Sequence, residues 1–288
     1  MKALVLGGNG QLGQALAETV PNGTDFVGAD LPDLDITDAV AMLEICADQR
    51  PDVIINAAAY TAVDQAETEF EIASAVNVVG PQNIAAAAIS VGARLIHIST
   101  DFVFDGSASS PYSPDAKAIP LSVYGRTKRD GEIAVLDAMP DNAAIVRTAW
   151  LYSKTGGNFV KTMLRLMSER EELSVVSDQR GTPTWANSLA VAVWGLAAAP
   201  EISGIFHWTD AGECTWRDFA VAIQEEALSM GLLDKAIPIH PITTEDYPTA
   251  AKRPRYSVLD CAATATLTGV QQTPWRDNLR QMLQGINT

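Results

Sequence analysis

Ala3-Leu4-Val5-Leu6-Gly7-Gly8-Asn9-Gly10-Gln11-Leu12-Gly13 is the stretch on which the fold turns. Four apolar residues run straight into glycines at positions 7, 10 and 13, and an amphipathic segment follows, which reads as strand, tight turn and helix. Gly7 suits the strand-to-helix turn, Gly10 lets a backbone approach a pyrophosphate, and Gly13 allows the helix to pack closely. The amino end of such a helix favours negative charge, so the segment points to a dinucleotide site. The spacing departs from Gly-x-Gly-x-x-Gly, and a turn with a purely structural role is the competing reading.

Working outward, short aliphatic runs at Phe26-Val27-Gly28, Val53-Ile54-Ile55, Leu95-Ile96-His97-Ile98 and Ala144-Ile145-Val146 alternate with helix-length segments. The helices are expected at Gln11 to Val20, Asp38 to Gln49, a stretch ending at Val91-Gly92, and Val123 to Met139. This alternation implies crossover units and an α/β fold, a Rossmann-type doubly wound parallel sheet. After Arg147 the pattern fades. Ser174-Val175-Val176 and the helix Ser188 to Ala198 read as one more strand-helix return to the sheet. Helices Asn158 to Arg170 and Thr215 to Met230, the Pro-punctuated stretch Pro238 to Pro254 and a helix after Pro274 read as a smaller C-terminal α/β substrate lobe. The expected division is 1–147, with the return segment at about 172–200, against 148–171 and 201–288.

Composition narrows the function. With 20 basic and 35 acidic residues the formal charge is −15, which argues against nucleic acid or an anionic membrane surface as partner. Cys46, Cys214 and Cys261 stand far apart, without the spacing of a disulfide framework or a zinc site. The N-terminus lacks the apolar length of a signal peptide, and the longest apolar run, Leu189 to Ala199, is too short to span a bilayer, so a soluble cytoplasmic protein is expected.

Asp30, about 20 residues past the glycines, stands where a carboxylate accepts hydrogen bonds from a ribose diol. It disfavours a 2′-phosphate, so NADH is favoured over NADPH, with use of both left open. Asp35-Ile36 offers a second acid and an apolar face for adenine, or else an ordinary capping region before Thr37. Tyr124 and Lys128 lie one helical turn apart. A cation beside a phenol favours the phenolate and makes the tyrosine a usable proton donor near neutrality. Ser99-Thr100 closes the fourth strand, at the sheet edge where α/β folds bind ligands, and the Thr100 hydroxyl can bond a substrate carbonyl.

These segments, with Pro51-Asp52-Val53-Ile54-Ile55-Asn56-Ala57-Ala58-Ala59-Tyr60-Thr61-Ala62-Val63-Asp64, Ser99 to Gly106, Pro120 to Lys128, Arg147 to Tyr152, Asn158 to Met163, Asp178 to Thr184 and Arg253-Pro254-Arg255, resemble the extended short-chain dehydrogenase/reductase family, and within it the dTDP-4-dehydrorhamnose reductases. The resemblance covers nearly the whole chain. It implies NAD(P)H-dependent reduction of the C4 ketone of dTDP-6-deoxy-L-lyxo-4-hexulose to dTDP-L-rhamnose, with Tyr124 as proton donor and Thr100 and Lys128 completing the catalytic set. It further implies that Gly7, Gly10, Gln11, Leu12, Gly13, Asp30, Asp35, Ile36, Ala57, Ala58, Ala59 and Tyr60, with Tyr124 and Lys128, hold the cofactor. Thr100, Asp101, Phe102 and Trp150 are then placed at the sugar; Phe102 stands where the family usually has tyrosine.

A nucleotide sugar carries a diphosphate, and Lys161, Arg165, Arg180, Arg253 and Arg255 are the candidate cations, with a solvated helical face as the plainer reading of Lys161 and Arg165. His97, inside an apolar strand, reads as a satisfied core histidine. No metal set stands out, although the many carboxylates leave room for Mg2+ at a surface or homodimer contact. Two rival functions keep the fold: an epimerase or dehydratase that retains its NAD, and a non-enzymatic regulatory subunit.

Overall fold

The computed structural model describes residues 1–199 and 202–286. Glu201 and Thr288, which end the second segment assigned to the substrate lobe, lie outside the described residues.

Six strands form one parallel sheet: β1 (Lys2–Leu6), β2 (Asp25–Ala29), β3 (Val53–Asn56), β4 (Arg94–Thr100), β5 (Ala143–Thr148) and, much later, Gly204–His207. Between β5 and that last strand lie β6 (Leu151–Tyr152), β7 (Leu173–Val176), β8 (Arg180–Gly181) and β9 (Thr184–Trp185), so Gly204–His207 is β10; β11 (Cys214–Thr215) and β12 (Ile239–Ile242) follow. The helices are α1 (Gln11–Glu18), α2 (Ala39–Gln49), α3 (Phe70–Ser74), α4 (Gly80–Val91), α5 (Val123–Ala138), α6 (Phe159–Glu169), α7 (Ala186–Ala198), α8 (Trp216–Ser229), α9 (Ala262–Thr268) and α10 (Trp275–Gln284). The sheet order is β2-β1-β3-β4-β5-β10. The chain reverses direction across β1, so the crevice beyond the carboxyl ends of β1 and β3 is the expected ligand position.

The strands are apolar on both faces because both faces are covered. Ala3 and Val5 of β1 join Val53, Ile55 and Ile96 in one core with α1 and α7, while Leu4 and Leu6 join Ile54, Leu95 and Ile145 in the other, against α2, α4 and α5. A separate cluster joins Met163 and Met167 of α6, Leu173 and Val175 of β7, Phe219 and Ile223 of α8 and Leu279 and Leu283 of α10.

One expected strand goes elsewhere. The run containing Ser174-Val175-Val176 does not rejoin the sheet; β7 pairs in parallel with β12. Leu173 and Val175 bury their side chains in the α6–α8–α10 cluster, and the β5 edge is taken by β10. The helix that follows does return, as α7 packed on α1.

The apolar length of a membrane span occurs where the sequence reading did not look. Phe70–Val91, 22 residues, is helical throughout, with a five-residue π segment at Ala75–Val79, and its most apolar 18 residues have a mean hydropathy of 1.3. It packs along α5 and α2, burying residues such as Ile84, Ala85 and Ala88 in the core.

Candidate active site

The glycine loop is built by close approach. Gly7 has φ +79°, and a Cβ there would lie 2.6 Å from the Ala58 nitrogen; one on Gly13 would lie 2.1 Å from the Gly7 carbonyl. Gly13 therefore holds α1 against the loop and does not itself face the cleft. A Cβ on Gly10 would meet only the Gly7 carbonyl, at 3.2 Å, and no side chain caps the amino end of α1. Open backbone with unclaimed N–H groups at a helix start fits a pyrophosphate.

Gly7, Gly10, Gln11, Leu12, Asp30, Asp35, Ile36 and Ala57 to Ala59 line a cleft of about 640 Å3, as does the opposite set Thr100, Asp101, Phe102, Tyr124, Lys128 and Trp150. Asp30 accepts hydrogen bonds from the Asn9 and Leu31 amides at 2.9 and 2.8 Å, and Asp35 accepts from the Thr37 amide at 2.9 Å. Tyr60, expected at the cofactor, is turned aside: its hydroxyl donates to Glu69 at 2.7 Å and its amide to Asn77 at 2.9 Å.

Helix α5 carries Tyr124 and Lys128. Ser122 caps it by accepting from the Gly125 amide, and the missing side chain at Gly125 lets the helix press on the turn after β4, where a Cβ would lie 2.2 Å from the Phe102 carbonyl. Tyr124 and Lys128 are buried, and the Thr100 hydroxyl, which donates to Asp101 at 3.1 Å, acts on the Tyr124 phenol. Burial pushes that phenol up to about 12, against the pull of Thr100 and with a push from the Asp101 charge. Lys128 lies one turn further along the same helix and lines the same cleft. Its ammonium nitrogen donates to the Ile98 carbonyl at 2.7 Å and faces His97, and burial brings it down to about 8. Tyr124 thus stays protonated through neutral pH, as an acid. Burial also pushes Asp101 up to about 6, opposed by the nearby Ser257 hydroxyl and by the hydrogen bond from Thr100.

At the far end of the cleft Trp150 sits in the left-handed region at φ +47°, directly over Gly181, where a Cβ would fall 2.6 Å from the indole. Its ring stacks on Trp216, centroids 3.5 Å apart. Phe102 meets Tyr124 edge to face at 5.6 Å. Trp216 also borders a second groove of about 800 Å3 that contains Phe159, Arg170, Gln179, Tyr247 and Arg253. The candidate cations do not converge. Arg253 reaches that groove but is held by Asp64 at 2.6 Å, and Arg180 and Arg255 border a third, shallower groove, where Arg180 pairs with Glu213 at 3.0 Å. Lys161 donates to the Lys154 carbonyl, and Arg165 pairs with Glu169 one turn on.

The family profile described as RmlD substrate binding domain matches residues 1–288. The chain belongs to that family. A dTDP-4-dehydrorhamnose reductase of Aggregatibacter actinomycetemcomitans is 41% identical over 288 residues, covering 98% of each chain. The crystal structure of a dTDP-4-dehydrorhamnose reductase from Clostridium acetobutylicum superposes with a TM-score of 0.94 at 41% identity over 100% of both chains. That of the Bacillus anthracis reductase in complex with NADP superposes at 0.92 and 38% identity, covering 100% of this chain and 99% of that one.

In this RmlD-family chain the sequence did not single out Trp216 and Ser257 as parts of the site, nor Asn56, which meets His97 behind it at 2.9 Å. Asn56 carried a signal, a polar residue closing the apolar strand β3. Trp216 and Ser257 carried none, because they reach Trp150 and Asp101 only through the tertiary fold. Among the described residues no three His, Cys, Asp or Glu side chains converge as a metal set.

Proposed function

We infer that the chain is an NAD(P)H-dependent reductase that converts the C4 ketone of dTDP-6-deoxy-L-lyxo-4-hexulose to the alcohol of dTDP-L-rhamnose. The observation that carries this reading is one cleft bounded by the glycine loop on one side and by Thr100 and a protonated Tyr124 on the other. The names of its relatives supply the substrate.

NAD(P)H held with its pyrophosphate at the glycine loop would supply a hydride for C4. Tyr124 donates its proton to the C4 oxygen as negative charge develops there, and Thr100 hydrogen-bonds the same oxygen. The Lys128 ammonium lowers the cost of the phenolate left behind. Trp150 and Phe102 give the sugar an apolar wall that excludes water. The base and diphosphate extend past Trp216 into the second groove, toward Arg253. In this reading the sheet and its helices form the cofactor lobe, and, of the described residues, 148–171 and 202–286, joined by β7, form the substrate lobe. The three cysteines, buried and unpaired, suit a reducing cytoplasm.

The test is NADH oxidation by the purified protein with the 4-keto-6-deoxy-L-hexose nucleotide. Wild type should turn over, and Tyr124→Phe should lose about 10²–10⁴-fold in kcat with its NADH affinity intact. Cofactor binding without turnover by the wild type would move the assignment to an epimerase.

A further inference from the structure

Lys128 stands at the end of a hydrogen-bond chain that can run in only one direction. The Ala58 amide donates to Asn56 Oδ1 at 3.1 Å, so the Asn56 amide group turns its Nδ2 hydrogens to His97 Nδ1, 2.9 Å away. Nδ1 must then be the acceptor, which leaves the ring proton on Nε2. Nε2 faces Lys128 Nζ at 3.4 Å, and Nζ already donates to the Ile98 carbonyl at 2.7 Å. Reversing the asparagine would set its NH2 against the Ala58 N–H. Changing the histidine tautomer alone would set two donors face to face at 2.9 Å. Asn56 and His97 each pass on one donor and one acceptor, so the direction set by the Ala58 N–H carries through to Nζ. An ammonium has no lone pair to accept there, so the arrangement eases the loss of a proton from Nζ.

We propose that Asn56 and His97 are positioning residues that set the protonation state of Lys128 by holding an N–H donor against its nitrogen. This rests on the reductase reading only for its consequence. Asn56 and His97 have no exposed surface and Lys128 is 2% exposed, so no water replaces a mismatched link. The groups facing Lys128 are His97 from β4, Tyr124 and Glu132 from its own helix, with Arg147 of β5 behind Glu132 and Asp101 of the turn beside Tyr124. Glu132 favours the ammonium, but its charge is shared with Arg147 at 2.6 Å. Burial and the adjacent Lys128 hold His97 well below its ordinary value, so the ring is a neutral donor throughout the working range. When Tyr124 has given its proton to the substrate oxygen, Lys128 can return one to the phenolate and remain as an amine that already has its hydrogen-bond donor; solvent water then restores the ammonium.

The first experiment is 15N NMR of protein labelled at its three histidines, with His97→Gln assigning the His97 signals. A neutral Nε2–H ring at pH 6–9 is expected; an Nδ1–H ring or an imidazolium would overturn the proposal whether or not the protein turns over a sugar. The second is Asn56→Asp, whose two oxygens accept from both Ala58 and Nδ1–H, reversing the chain and freeing Nε2 to accept from an ammonium. In the reductase assay the ionisation assigned to Lys128 should move up by more than one pH unit, with the KM for NADH changed less than about threefold. A folded Asn56→Asp protein with the wild-type pH profile would refute the role. If that variant does not fold, the tautomer of the wild type decides.

Discussion

Trp150 and Trp216, 66 residues apart in the chain, stack with their ring planes 9° from parallel and together form the wall between two grooves. Gly181 lies under Trp150, so that indole is clamped from both sides. The Trp216 indole is itself tied down by donation to Gln179 Oε1 at 3.2 Å.

Trp216→Ala should therefore act on substrate binding more than on chemistry. The loss of a stacked pair costs about 0.5–1.5 kcal/mol beyond the lost burial, and Trp150 is freed to leave its left-handed conformation. Steady-state kinetics should show KM for the ketone substrate rising about tenfold, with kcat within about threefold of wild type. A fall confined to kcat would place Trp216 in the chemical step instead.

The cofactor pocket should discriminate by charge. Asp30, Asp33 and Glu44 border the loop side of the glycine turn and Asp35 borders the main cleft, all able to repel a 2′-phosphate. A preference for NADH of about tenfold in kcat/KM is expected, an energy of about 1.4 kcal/mol. Asp30→Ser should reduce it, since a hydroxyl in place of the carboxylate carries no charge toward the ribose. The check is kcat/KM for both cofactors with each protein, and equal values for the wild type would refute the charge argument.

Stability should depend on pH through Asp210. It is buried beside α7, accepts from the Trp185 amide at 3.1 Å, and is pushed by burial up to about 6 from an ordinary 3.8. Since the folded value is the higher one, the folded state binds the proton more tightly than the unfolded chain, and this site's contribution falls as pH rises from about 4 to 6. Asp210→Asn removes that titration. Urea unfolding should find the variant gaining on wild type by about 2 kcal/mol between pH 4 and pH 7. A difference that does not change with pH would show that Asp210 is not the titrating group.

Arg147 and Glu132 tie β5 to α5 behind the site. Two hydrogen bonds, at 2.8 and 2.6 Å, join them with both side chains 3% exposed, and Ser99 also donates to Glu132. Arg147→Met leaves a buried carboxylate without its partner and should cost about 3–5 kcal/mol. The paired change Arg147→Met with Glu132→Leu should recover most of it. Chemical denaturation of the three variants tests this, and a double variant as weak as the single would mean that packing on Phe104, which the guanidinium overlies at 5.1 Å, matters more than charge.

The sequence by itself determined the parts whose cause is local. The run Ala3 to Gly13 could only be strand, turn and helix, because its glycines answer steric demands within one loop. The inner strands β1, β3, β4 and β5 were legible as mainly apolar runs, since covering both sheet faces removes any polar alternation. Tyr124 and Lys128 were legible because a helix fixes residues four apart on one face. The tertiary structure alone decided what depends on neighbours distant in sequence. Ser174 to Val176 has the composition of a sheet strand, and only competition between two cores sends it to pair with β12. That Lys128 meets Ile98 and His97 depends on how deeply α5 sinks against β4, a burial no local pattern encodes. The opposing wall of the sugar site, Trp216 against Trp150, exists because two separate loops are folded onto each other, and its energy comes from that contact and not from either segment.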